Sequence, residues 1–195
     1  PVIIVPAYYT CPRLCGLVLN GVLTFLNNTE LKLQDDFIVI AVSFDPADTV
    51  ESAKSHAQAL RSAISEKQNS AGWQFFVGTH DSSESLMRQI GYQYFAEGKD
   101  FSHSAAIAIL TPEGVISQYF FGIEFPERDV RLALVEASRG GIGSILDHIM
   151  LYCFRFDPTK GKYTWAVFAL LKVLGIVVLL SLSSLLFFLW RRYRQ

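Results

Sequence analysis

Along the first 138 residues, unbroken apolar runs rich in β-branched side chains alternate with longer stretches whose apolar positions recur every three or four residues. The first pattern predicts strands covered on both faces, the second helices packed onto them. Pro1 to Tyr9 (PVIIVPAYY) and Phe37 to Phe44 (FIVIAVSF) are such strands, and Trp73 to Gly78 is a shorter third. Pro12 stands where a first helical residue belongs and opens a helix through Leu17, Val18, Leu19, Val22, Leu23 and Leu26. That helix is apolar on nearly every side, so it is expected to be buried. Val50 to Ile64 reads as a surface helix after the Asp45-Pro46 turn, and Asp81 to Ile90 as another, stopped by Gly91. Ala105 to Leu110 and Val115 to Phe121, joined by Thr111-Pro112-Glu113-Gly114, predict a hairpin, and Pro126 to Ser138 a closing helix. The order βαβα, then βα, then ββα predicts an α/β domain over residues 1–138. Its mixed central sheet carries helices on both faces, a thioredoxin-like arrangement with an insertion.

Residues 139–163 read as a connector marked by Gly140-Gly141, Gly143 and Asp157-Pro158, with one short helix around Ile145 to Met150. The pattern then changes. From Thr164 to Trp190, 21 of 27 residues are apolar and the only charge is Lys172. At about 1.5 Å per residue, Val173 to Trp190 reaches roughly 27 Å, close to the apolar thickness of a bilayer. Residues 164–190 are therefore expected to form one transmembrane helix. Lys172 can snorkel to a surface, and Trp165 and Trp190 suit the interfacial belts.

Charge adds an orientation. Residues 1–163 carry a net −5 and residues 164–195 a net +4. Arg191, Arg192 and Arg194 follow the span directly, and basic flanks stay in the cytoplasm, which puts the tail 191–195 inside and the globular domain outside. Because the chain opens on Pro1 and reads as a strand by Val2, the export signal is expected upstream of the first residue. A mean hydropathy of +0.29 fits one water-facing domain plus one span. The domain has no basic run, which argues against nucleic acid as a partner. Three cysteines are too few for a disulfide scaffold and enough for a metal site or a redox pair.

The chemistry centres on Cys11-Pro12-Arg13-Leu14-Cys15. Two cysteines four apart at a helix start share one face, with Cα atoms about 6 Å apart, within disulfide range. Cys11 at the positive end of the helix favours thiolate. The pair can oxidise, or hold a soft cation such as Cu(I), which then needs a further donor, most commonly imidazole. Of the four histidines, His56 falls mid-helix among polar residues and reads as solvated, and His80 reads as part of a helix cap. His148 lies in the connector. His103 stands immediately before the hairpin, where a thioredoxin-like chain returns beside the active helix, and is the favoured third ligand. Cys153, in Leu151-Tyr152-Cys153-Phe154, reads as an apolar filler near the membrane surface.

Tyr8-Tyr9-Thr10-Cys11-Pro12-Arg13-Leu14-Cys15, then Val42-Ser43-Phe44-Asp45-Pro46 with Asp48-Thr49, then Phe101-Ser102-His103-Ser104 leading into Ile109-Leu110-Thr111-Pro112-Glu113-Gly114, resemble in order the signature blocks of the Sco/SenC family. The resemblance spans about Pro1 to Ser138. It implies a membrane-anchored, thioredoxin-like protein that binds copper and assists assembly of the dinuclear copper centre of cytochrome c oxidase. The family's copper ligands fall on Cys11, Cys15 and His103, and its Asp-Pro block on Asp45 and Pro46. The implied cargo is copper as Cu(I), with Cu(II) as its oxidised form. The implied partners are the oxidase's copper-centre subunit or a related respiratory subunit, and the lipid bilayer. The implied location is a bacterial inner membrane, with the domain facing the periplasm or cell exterior. Three departures stand out. Ser102 occupies a position that is often Asp in the family, with Asp100 the nearest substitute. Gly16 replaces a common Pro, and the anchor is C-terminal rather than N-terminal. An enzyme of a different class is the alternative: a thiol-disulfide oxidoreductase in which Cys11 attacks and Cys15 resolves, reducing the cysteines of a respiratory client.

Overall fold

The apolar β-branched runs form the middle of a five-stranded sheet, where burial on both faces suits them. In this computed structural model the described residues are 1–11, 14–98 and 100–141, with Phe156, Asp157, Lys162, Tyr163, Lys172, Gly175 and Trp190. Strands β1 (Val2–Ala7), β2 (Ile38–Ser43) and β3 (Trp73–Phe76) run parallel. Strand β6 (Ala106–Leu110) lies antiparallel to β1, and β7 (Ile116–Phe121) antiparallel to β6, giving the order β3-β2-β1-β6-β7. Four helices flank it: α1 (Leu14–Asn28), α2 (Val50–Ser62), α3 (His80–Gln89) and α4 (Glu127–Ser138).

Alternation along the strands divides the core into two layers. Ile3, Val5, Val39, Ala41, Trp73, Ile107 and Ile109 pack with Val18, Leu19, Val22, Phe25 and Leu26 of α1 and with Val130, Ala133 and Leu134 of α4. The intervening residues Ile4, Val42, Ala106 and Ala108 pack instead with Met87 of α3, Ile90, Tyr92, Tyr119 and Cys15. The mixed, thioredoxin-like sheet covered on both faces is the expected one, and the 106–110/116–121 hairpin is in place.

Two local expectations need correction. Helix α1 is not buried all round: Cys15, Val18, Leu19, Val22, Phe25 and Leu26 form one inward stripe, while Leu17 is 49% exposed and Asn20, Thr24 and Asn27 face solvent. Its polar residues, set at helical spacing opposite the stripe, leave room for a single buried face. The segment before His103 is no mere approach to the hairpin. It forms a second, separate hairpin, β4 (Tyr94–Glu97) with β5 (Asp100–His103), in which Tyr94 pairs with His103. Those strands are only four residues long and largely exposed, so they lack the apolar signature of the central strands. Gly98, with φ +66°, begins the turn that joins them.

Beyond the sheet, the chain divides into the units Pro1–Phe154 and Arg155–Gln195. Within the second, β8 (Phe156–Asp157) pairs antiparallel with β9 (Lys162–Tyr163). Among the described residues no helix is long and apolar enough to cross a membrane. The expected span 164–190 lies outside them except for Lys172, Gly175 and Trp190, each helical. The expected connector helix, His148, Cys153 and the tail 191–195 also lie outside the described residues.

Candidate metal centre

Strand β1 is central, with a parallel neighbour on one side and an antiparallel one on the other, and its C-terminal end delivers Tyr8 and Tyr9 to the site. The backbone N–H of Cys11 donates to the Tyr8 carbonyl at 3.3 Å, turning the chain toward α1. The β2–α2 loop braces this turn. The buried Asp48 carboxylate accepts from the Tyr9 N–H and from the Ser43 hydroxyl, both at 2.6 Å and both to Oδ2. Cys15, in the first turn of α1, belongs to the helix's inward stripe and is 2% exposed, whereas Cys11 is half-buried.

From 88 positions further along the chain, His103 arrives at the end of β5 and is 5% exposed. Its Nε2 lies 3.5 Å from Cys15 Sγ. The ligand atoms of Cys11, Cys15 and His103 all fall within 4.8 Å of one another, and they are the one such three-residue group found among the described residues. The structure thus brings together the three residues expected to act in concert. The other histidines stand apart. His56 is not simply solvated: its Nδ1 sits 3.1 Å from the Ser52 carbonyl, and its ring packs 5.4 Å from that of Tyr9. His80 is the first residue of α3, after its Thr79 cap, and lies 3.9 Å from Glu84.

The two thiols behave as an unequal pair. A hydrogen bond from the Cys15 thiol is the strongest influence holding Cys11 far below the ordinary thiol range; His103 and the Tyr8 hydroxyl lower it further, against the opposing effect of burial. Cys15 is pushed well above that range, first by its bond to Cys11 and then by burial. In the reduced protein one proton is therefore shared, with the negative charge on the more accessible sulfur. Burial, followed by the nearby Cys11, raises the Tyr8 hydroxyl, so it remains a donor.

Aromatic rings shield the imidazole. Phe44 and Tyr8 meet it edge-on, at 5.3 and 5.9 Å, and Tyr92 lies 6.3 Å away. Among the described residues its inner nitrogen, Nδ1, faces no carboxylate, so Asp100 does not stand in for the Asp that Ser102 replaces. It lies 2.8 Å from the Tyr92 hydroxyl and 3.0 Å from the Ser104 carbonyl. Asp100 is exposed at the far end of β5. Sequence reasoning missed Tyr92 altogether, and it quoted Asp48 in the second block without giving it the bracing role seen here. Asp45 caps its own turn by accepting from the Ala47 N–H at 2.8 Å. The signal for Tyr92 was Gly91, which ends α3 and turns the next residue inward.

The donor set suits a soft ion. Trigonal coordination with bonds of about 2.0–2.3 Å, as sulfur and imidazole make to zinc, needs donor atoms roughly 3.5–4 Å apart. That spacing is compatible with the cluster as it stands, and two sulfurs with one imidazole favour Cu(I) over hard cations.

No family model matches the chain, and no curated protein does. Solved structures do. A protein of Aquifex aeolicus VF5 provisionally assigned to electron transfer is 28% identical, with a TM-score of 0.62 over 72% of this chain and 79% of that one. Arabidopsis thaliana ScoI, solved with copper bound, is 17% identical, with a TM-score of 0.52 over 71% and 84%. BsSco, described with a disulfide switch and as a member of the Sco family of cytochrome c oxidase assembly proteins, is 18% identical, with a TM-score of 0.54 over 70% and 79%. The chain has the Sco/SenC thioredoxin-like fold, as its sequence blocks imply.

Proposed function

We propose that this chain is a membrane-anchored copper chaperone of the Sco/SenC family, which carries Cu(I) as cargo on Cys11, Cys15 and His103 and passes it to the dinuclear copper centre of cytochrome c oxidase. The observation that carries this reading is the arrival of a buried imidazole from a distant strand beside two sulfurs at a helix start. A dithiol reductase needs no imidazole there. The copper bound to Arabidopsis ScoI and the assembly role given to BsSco support the same reading. In it, residues 164–190 span a bacterial inner membrane, the tail 191–195 is cytoplasmic, and the domain faces the periplasm or cell exterior, where the oxidase's copper-centre subunit can receive the ion.

One observation favours a second chemistry on the same residues. A half-buried Cys11 held low and a buried Cys15 pushed high suit an attacking and a resolving thiol. Cys11 as thiolate attacks a client disulfide and expels one client sulfur, which takes up a proton. Cys15, on losing its own proton, then displaces the second client sulfur, leaving the pair oxidised and the client reduced by two electrons.

The deciding experiment is a Cu(I) titration of the reduced, detergent-solubilised chain against a competing chelator, with X-ray absorption counting sulfur and nitrogen neighbours. Cys11→Ser and Cys15→Ser should abolish tight binding. His103→Ala should retain a weaker, two-sulfur site that fails to support oxidase assembly. Unchanged coordination in His103→Ala would leave the dithiol reductase as the better account.

A further inference from the structure

The geometry points to Tyr92 as the residue that orients the His103 ligand, in a chain whose Ser102 replaces the Asp common in the resembled family; this rests on the copper reading above. The argument turns on proton count. The Ser104 carbonyl can only accept, and it faces both the Tyr92 hydroxyl, at 2.6 Å, and His103 Nδ1, at 3.0 Å. A phenol has one proton, and the shorter contact assigns it to the carbonyl. Nδ1 lies 2.8 Å from the same phenol oxygen. If Nδ1 lacked a proton, its lone pair would face the lone pairs of the carbonyl with nothing between them. Nδ1 therefore donates, to the phenol oxygen and the carbonyl together, and Nε2 is the nitrogen turned toward the sulfurs, facing Cys15 Sγ. The Tyr92–Ser104 pair thus holds the ring's proton on Nδ1, leaves Nε2 as the nitrogen a metal would take, and fixes the plane of the ring.

The backbone builds this arrangement deliberately. Helix α3 ends in a Schellman motif: the Tyr92 N–H donates to the Met87 carbonyl at 2.8 Å and the Gly91 N–H to that of Arg88 at 3.1 Å, with Gly91 at φ +66°. The hydroxyl of Tyr119 donates to the Ile90 carbonyl at 2.9 Å, pinning the turn from the sheet side. Tyr92 is thereby held 5% exposed beneath the imidazole rather than on the surface. It touches the ligand and not the metal, so it is a positioning residue.

The test uses the full chain with histidine labelled in 15N, first without metal. Ring-nitrogen shifts should show His103 Nδ1 protonated. Tyr92→Phe keeps the ring and loses the hydroxyl, so it should raise the share of the other tautomer and weaken Cu(I) binding about tenfold, the lower end of what loss of a ligand's outer partner costs. Ser117→Ala serves as a control. It removes a buried hydroxyl bond to Gly141, of 2.7 Å, at the opposite end of the sheet, and should leave the tautomer and the affinity alone. A wild-type Nδ1 without a proton, or a Tyr92→Phe protein with unchanged ring-nitrogen shifts and affinity, would overturn the assignment. The expected tautomer shift in a chain that binds no Cu(I) would uphold Tyr92's role and remove the copper reading.

Discussion

Replacing Gly21 by alanine sets two effects on the cysteine-bearing helix against each other. Alanine in a helix interior is favoured over glycine by about 0.5–1 kcal/mol, because the unfolded glycine has more freedom to lose. At Gly21, however, a Cβ would overlap the carbonyl oxygen of Ile123, with the carbonyl carbon at 3.0 Å and Phe125 Cδ2 at 3.1 Å. Backbone cannot swing aside as a flexible side chain can, so α1 or the segment before α4 must shift. Overpacking of this kind costs about 1–3 kcal/mol, occasionally more, and an overlap with backbone belongs at the upper end. The net expectation is a loss of about 1–2 kcal/mol, or a melting point lower by about 2–8 °C at this chain length. Gly16, on the same helix, has nothing within 4 Å of its would-be Cβ, so Gly16→Ala should be neutral or slightly stabilising. Thermal unfolding of both variants, followed by near-UV circular dichroism, checks the pair. A Gly21→Ala protein as stable as the parent would mean that α1 does not pack on Ile123 and Phe125, and the placement of Cys15 on its inward stripe would lose its support.

Three further outcomes are expected. Because Cys11 lies below its unfolded value, the unfolded chain binds the extra proton there; the stability from this group is present above the ordinary thiol range and drains away as pH falls toward the folded value. Cys15 runs the other way, its contribution complete below the ordinary range and lost as pH rises through its raised value. Alkylation of the reduced protein should accordingly stay fast at Cys11 down to about pH 5 while Cys15 stays protected, and a tenfold fall per pH unit at Cys11 would refute the shared proton. Mild oxidation should join Cys11 to Cys15 and leave Cys153 free; peptide mapping without reductant reveals any bridge to Cys153, which would contradict the pairing. A membrane-impermeant thiol reagent should label reduced Cys11 in intact cells, and labelling only after lysis would reverse the proposed orientation.

What could be read in the sequence follows how locally each feature is encoded. The two central strands were legible because burial on both faces demands runs such as Ile3, Ile4 and Val5 or Val39, Ile40 and Ala41. The pairing of β6 with β7 was legible because its turn is written in Thr111 to Gly114, where the Gly114 N–H donates to the Thr111 carbonyl at 3.0 Å. The β4–β5 hairpin escaped because its stability comes from pairing and from Phe44, which meets Tyr94 at 4.7 Å and Phe101 at 5.6 Å, contacts far apart in the chain. The three candidate ligands were visible as residue types. The support behind His103 was not, since half of it is a backbone carbonyl, which every residue carries and no sequence marks. A search for a nearby Asp was bound to find Asp100 and miss a phenol eleven positions upstream.

The two chemistries proposed for this site compete for the same sulfur lone pairs, and the competition sets an order. A disulfide between Cys11 and Cys15 consumes both thiolates and leaves His103 as the sole donor of the three, too few for Cu(I). Reduction must therefore precede loading, and a loaded ion in turn protects the pair from oxidation. All three donor atoms already lie within 4.8 Å of one another. The asymmetry of the thiols bears on unloading as well. Cys15 is buried and bonded by the Tyr8 N–H at 3.4 Å, whereas Cys11 is half-buried on the loop beyond β1. On the copper reading, Cys11 is the sulfur more open to an incoming client thiolate. The proposed transfer would then exchange the Cys11 bond first, with Cys15 and the imidazole holding the ion until the client has taken its place.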